Sequence, residues 1–170
     1  NAVIPAPNLT DEEIKLLPLY TACVTEVGVG DMNYEEAQLW QSNTVGSFTA
    51  SMLVKPSLCD PNHLIGNLIF STKGLKRNQE KINELMNKTL DSVKFSELSR
   101  LEELMNQIKT SKQSGIIGSG HLMAMSSAAK SCSLLAQLKE TWSGIESLSI
   151  IKNIMNSPSK HKYPELSNKL

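Results

Sequence analysis

Residues Gly46–Leu75, GSFTASMLVKPSLCDPNHLIGNLIFSTKGL, decide the fold. Phe48, Ala50, Met52 and Val54 alternate with Thr49, Ser51 and Leu53, the period-two pattern of a half-buried strand over 46–54. Leu64 to Leu75 reads as a second strand, and KPSLCDPNH, with Pro56 and Pro61, connects the two. A link this short predicts that strands 46–54 and 64–74 pair antiparallel.

Working outward, everything towards the N-terminus is mixed in character. Asn1 to Pro5, NAVIP, has neither the basic nor the apolar region of a signal peptide. Its Val-Ile pair before a turn reads as the end of a strand whose beginning is missing, which predicts a piece of a longer chain. Thr10 and Glu13 form a T-x-x-E capping box, with acidic Asp11, Glu12 and Glu13 at the positive end of the helix dipole. That helix is expected to run to Val27, stopped by Gly28 and Gly30, with Pro18 disturbing it and Ile14, Leu17, Val24 and Val27 as its core stripe. Asn33, with Glu36 three residues on, predicts a second helix over 34–43.

Towards the C-terminus the pattern turns wholly helical. Expected helices cover 78–90 (Ile82, Leu85, Met86, Leu90), 96–111 (Leu98, Leu101, Met105, Ile108), 118–131, 135–141 and 144–155. The tail NSPSKHKYPELSNKL reads as a linker or exit segment. The expected class is therefore α+β, a small mainly antiparallel sheet with helices packed on one face. It forms one domain over 1–156, followed by a connecting segment over 157–170.

Composition excludes several function classes. Lys+Arg and Asp+Glu are 17 each, so the chain has no net charge with which to attract nucleic acid or an anionic membrane. Only Arg77 and Arg100 supply guanidinium forks. The apolar runs are too short for a membrane-spanning helix. Cys23, Cys59 and Cys132 are odd in number and without paired spacing, which predicts free, buried thiols in a reducing, intracellular compartment.

No catalytic constellation is complete. His63, His121 and His161 stand in no zinc motif, and the spacings Asp60–His63 and His161–Glu165 fall in Pro-bounded segments that converge no third ligand. His121 and Cys132, placed on one expected helix, lie about 16 Å apart along its axis, too far for a dyad. Gly28–Asp31, GVGD, follows a helix and lacks the third glycine of a dinucleotide loop. Gly115, Gly118 and Gly120 in SGIIGSG read as close backbone packing at a helix entry. The acidic pairs Glu12-Glu13, Glu35-Glu36 and Glu102-Glu103 and the basic group Lys73, Lys76, Arg77 and Lys81 read as solvated faces, and Met123 and Met125 as core fillers. No residue is assigned a catalytic or metal-binding role, and substrate-binding residues stay unassigned.

Two stretches carry a family likeness. SGHLMAMSSAAKSCSLLAQLKETWSGIESLSIIKNI (Ser119–Ile154) contains an L-x-E-x-W-x-G pattern and then L-x-x-I-K-x-I. LLPLYTACVTEVGVGDMNY (Leu16–Tyr34) precedes a T-V-G-S turn at Thr44–Ser47. In this order they resemble the presequence-protease branch of the insulinase/pitrilysin zinc metallopeptidases. The resemblance implies a non-catalytic third domain of a long chain of related α/β domains, with the fold of the metallohydrolase domains of that superfamily. It implies part of the wall of a closed peptide chamber, with no cofactor here and zinc and catalytic residues elsewhere in the full-length chain. Implied partners are the other domains and an unfolded peptide, without nucleic acid or membrane, in a bacterial cytoplasm or organelle matrix. The position of the family's metal-binding helix falls at Leu19–Cys23, and no histidine occurs anywhere in 1–62. A stand-alone scaffold of the same superfamily and an unrelated helical binding module remain the alternatives.

Overall fold

A computed structural model describes residues 1–156, so the expected exit segment 157–170, with His161 and Glu165, lies outside the described residues. The strands come first because they carry the core. β1 (Ala2–Pro5), β3 (Ser47–Pro56) and β4 (Leu64–Lys73) form an antiparallel sheet in the order β1-β4-β3. The expected hairpin is in place, in a register that sets Ala50 opposite Phe70 and Met52 opposite Leu68. The NAVIP stretch is a strand, pairing Val3 with Ile69 and Ile4 with Leu68. Alternation sends Phe48, Phe70, Ala50, Leu68, Ala2 and Ile4 to one face, where they join the core. Val3, Leu53 and Ile65 stay exposed on the other face.

Helix α1 (Asp11–Cys23) starts on its capping box: the Glu13 N–H donates to Thr10 Oγ1, and the Thr10 N–H to Glu13 Oε2. It ends four residues before the expected Val27. Val24 and Val27 are fully buried but lie beyond the helix, because the chain straightens into β2 (Gly28–Val29). β2 pairs antiparallel with β5 (Val93–Lys94), a two-residue ladder too short to leave a period in the sequence. Gly30 takes φ +60, the left-handed conformation that glycine adopts freely. α2 (Tyr34–Thr44) is capped by Asn33 and Glu36 as expected.

The helical half differs from expectation at one place above all. The sequence predicts separate helices over 96–111 and 118–131; α4 (Leu98–Ala129) is two helical segments that meet at a kink on the non-helical backbone of Ser119 (φ −133, ψ 24), so the break falls beside the expected start of the second, and the difference is that the first carries on through 112–118. The remaining helices, α3 (Gln79–Ser92), α5 (Leu134–Ser143) and α6 (Ile145–Asn156), fall close to their expected places. The main core joins the sheet to α3 and the start of α4 through Leu85, Phe95, Leu101 and Leu104, while Leu19, Met105 and Ile151 form a second cluster against α6.

Candidate functional site

Helix α1 is where the resemblance puts a metal-binding helix, so its residues are the first candidates. Leu19 and Cys23, one turn apart, are 3% and 1% exposed, and Cys23 belongs to the core. Burial pushes the Cys23 thiol up to about 12, with the neighbouring Glu26 carboxylate adding to the effect. A thiol ligates a metal as thiolate, so this one is poorly suited to the task. Tyr20 packs its ring on Phe95. Among the described residues no group of three His, Cys, Asp or Glu side chains converges on a point. The donor set does not fit zinc.

Pro18 has a consequence that reaches far along the chain. It has no N–H to give to the carbonyl of Ile14 one turn earlier. The indole Nε1–H of Trp142 takes that place, donating to Ile14 O at 2.8 Å. The segment L-x-E-x-W-x-G thus becomes a corner between α5 and α6. The Gly144 N–H donates to Glu140 O at 2.8 Å, and the Ile145 N–H donates to Glu140 Oε1 at 3.1 Å, so Glu140 caps α6. Glu140 is 3% exposed, and its Oε2 has no partner among the described residues. Lys112 Nζ of α4 donates to Trp142 O and Ser147 Oγ, both at 3.0 Å, and burial lowers its pKa. The sequence carries the signal for this corner in the proline, since an orphaned carbonyl one turn upstream requires a donor.

A second polar knot fixes the far end of α1. Arg100 donates from Nε to Glu26 O, from Nη2 to Glu26 Oε2 and from Nη1 to Glu103 Oε2, and its guanidinium lies 4.8 Å over the Tyr34 ring. Gln38 and Gln41 donate to Thr25 O, which ties α2 to the same turn. Arg100 is engaged inside the molecule, and the composition gave no sign of that.

Several sequence-based readings need correction. Cys59 and Cys132 are exposed rather than buried, one in the hairpin loop and the other in the turn after α4. Cys132 is therefore off the helix that holds His121. Gly115, Gly118 and Gly120 lie within α4, and a Cβ on any of them would meet nothing within 4 Å among the described residues, so close packing is not their role. Met125 is 67% exposed and Met123 half-buried, because this part of α4 projects beyond the core. Lys73, Lys76, Arg77 and Lys81 are exposed, as read, and Asp60 and His63 are exposed turn residues.

A cleft of about 850 Å³ is lined by Met52 and Val54 of β3, Ile14 of α1 and Leu134, Leu138 and Trp142 of α5. No helix among the described residues is long and apolar enough to cross a membrane.

Residues 1–154 match the model of a family described as associated with the peptidases of family M16, subfamily C. The chain belongs to that family. Among its relatives, the mitochondrial presequence protease of Danio rerio is 30% identical over 149 residues, which are 86% of this chain and 14% of the relative. That of Mus musculus is 29% identical over 150 residues (86% and 14%), and that of Drosophila melanogaster 24% over 151 residues (89% and 15%). This peptidase-associated chain thus lies in the presequence-protease branch and spans about one seventh of the length of these relatives.

Proposed function

We propose that this chain is a non-catalytic region of a zinc-dependent oligopeptidase. Residues 1–156 would form one domain that contributes to the wall of a peptide chamber, with zinc and the reacting residues carried elsewhere in the full-length polypeptide. What carries the reading is a family match over 1–154 combined with a helix α1 whose Leu19 and Cys23 are buried in the core and offer no ligand set. The supplied chemistry is shape: an apolar layer that packs on neighbouring parts of the same chain, and a surface past which unfolded peptide moves. The names of the relatives support a peptide substrate and an organelle matrix as the setting.

The test uses the full-length polypeptide and these 170 residues side by side on a quenched fluorescent peptide. The full-length protein is expected to hydrolyse it and to lose that activity on chelation, while the 170 residues alone show none with added zinc. Turnover by the 170 residues, or tight zinc binding by them in calorimetry, overturns the reading.

A further inference from the structure

Helix α4 changes character halfway along. From Leu98 to Lys112 it is an ordinary half-buried helix: Leu101, Leu104 and Met105 are buried, and Arg100, Glu102, Glu103, Lys109 and Lys112 supply charge. From Gln113 to Ala129 come seventeen residues without an Asp, Glu, Lys or Arg, where the chain's 20% charge content would place three or four. None of them is buried. Ile117 is 91% exposed and Leu122 54%, and Ile116 and Met125 are exposed beside them. Gly118, Gly120, Ala124 and Ala128 are exposed as well. Single exposed apolar residues are ordinary on a protein surface. Four within ten positions, with no charge among them, form a patch.

The make-up of the patch limits what can cover it. Nucleic acid requires basic side chains, and a helix lying on lipid carries them on its polar side. Here there are none between Lys112 and Lys130. Loss of charge marks an interface that stays closed, since obligate contacts resemble a core cut in two while transient ones keep a more polar surface. The cover is then either a second copy or another region of a longer polypeptide. Area decides between them. The stretch is about 25 Å long and about 10 Å across, so its outward side is about 250 Å². Even doubled for side-chain relief, that falls short of the roughly 800 Å² per partner in a stable complex of free proteins. A contact within one polypeptide needs less, because the tether holds the cover at an effective concentration of about millimolar. The relatives have ample chain for this, since the matched residues are 14% of their length.

We propose that 113–129, the far half of α4, is a closed seam in the full-length polypeptide, where an uncharged apolar surface from another region of the same chain packs on Ile117, Leu122 and Met125. This rests on the reading that these residues belong to a longer polypeptide whose parts pack together. It goes further in naming the surface and the chemistry of its cover.

The experiment uses the full-length polypeptide with p-benzoylphenylalanine introduced in place of Ile117 or Met125. Irradiation is expected to leave the protein at monomer mass, and peptide mapping to place the crosslinks on segments outside these 170 residues. In parallel, Ile117→Cys and Met125→Cys are labelled with a maleimide in the native protein and in urea, and the modified site is read by mass spectrometry. Native labelling is expected to be slower than unfolded labelling by about tenfold or more, at a rate independent of protein concentration. Equal native and unfolded rates, crosslinks confined to these 170 residues, or a product of doubled mass overturn the proposal; the last would make the cover a second copy. The small cysteine variants keep the test valid should the benzophenone prevent folding. Hydrolysis by the full-length protein with both cysteines open to label sinks this proposal alone, and protected cysteines without hydrolysis sink the preceding reading alone.

Discussion

At the scale of single residues, two side chains define how tightly this molecule is built. Gly144 sits against the Glu140 carboxylate, so a Cβ there collides with the group that caps α6. Gly144→Ala is expected to destabilise the fold by about 1–3 kcal/mol in urea denaturation, since the carboxylate must leave the Ile145 N–H to make room. Ser149→Ala, at an exposed site on α6, is the matched control. Cys23 gives a pH test. Its folded-state value is raised by burial from near 9 to about 12, so between those limits the folded chain holds a proton that the unfolded chain has lost. Stability from this group is complete below pH 9 and falls as pH rises towards 12. Cys23→Ala is expected to make the alkaline decline in thermal midpoint shallower over that window. A decline of unchanged slope would remove the thiol from the account.

Single elements show how far sequence reading reaches. Both capping boxes, Thr10–Glu13 and Asn33–Glu36, were legible because a cap is a local device completed within four residues. The hairpin was legible because its faces alternate. β2 and β5 were not, since two residues form no period and their pairing joins positions more than sixty apart. The extension of the first part of α4 through 112–118 was missed for the opposite reason: glycines and a serine there read as a break, although a solvated helix tolerates them at a cost up to the kink at Ser119. That cost is measurable. Gly115, Gly118 and Gly120 have open space where a side chain would stand. Alanine at Gly115 and Gly118 together is expected to raise stability by about 1–2 kcal/mol, read as a higher thermal midpoint. Gly120 follows the non-helical Ser119 and is expected to gain less. An unchanged midpoint for the double variant would show that this part of α4 is not helical in solution. Of the site itself, the Arg100 knot was not legible, because it depends on contacts between segments 74 residues apart.

Across the whole molecule, the bond from Trp142 to Ile14 joins segments 128 residues apart and couples the first helix to the last two. Trp142→Phe keeps the ring in the cleft but leaves the Ile14 carbonyl without its donor. The expected loss is about 1–3 kcal/mol, with amides at the start of α6 exchanging faster while those of β4 are unchanged. Uniform loss of protection would mean that the corner has no separate stability. The strand order β1-β4-β3 has a kinetic consequence too. The β3–β4 hairpin closes across a seven-residue loop, whereas β1 must find β4 across an intervening stretch of nearly sixty residues. Chain-closure entropy therefore orders assembly, with the hairpin zipped early and the amino-terminal strand last to arrive. Until it does, a nascent polypeptide exposes both flanks of its central strand pair, and that interval is when self-association would most readily compete with maturation.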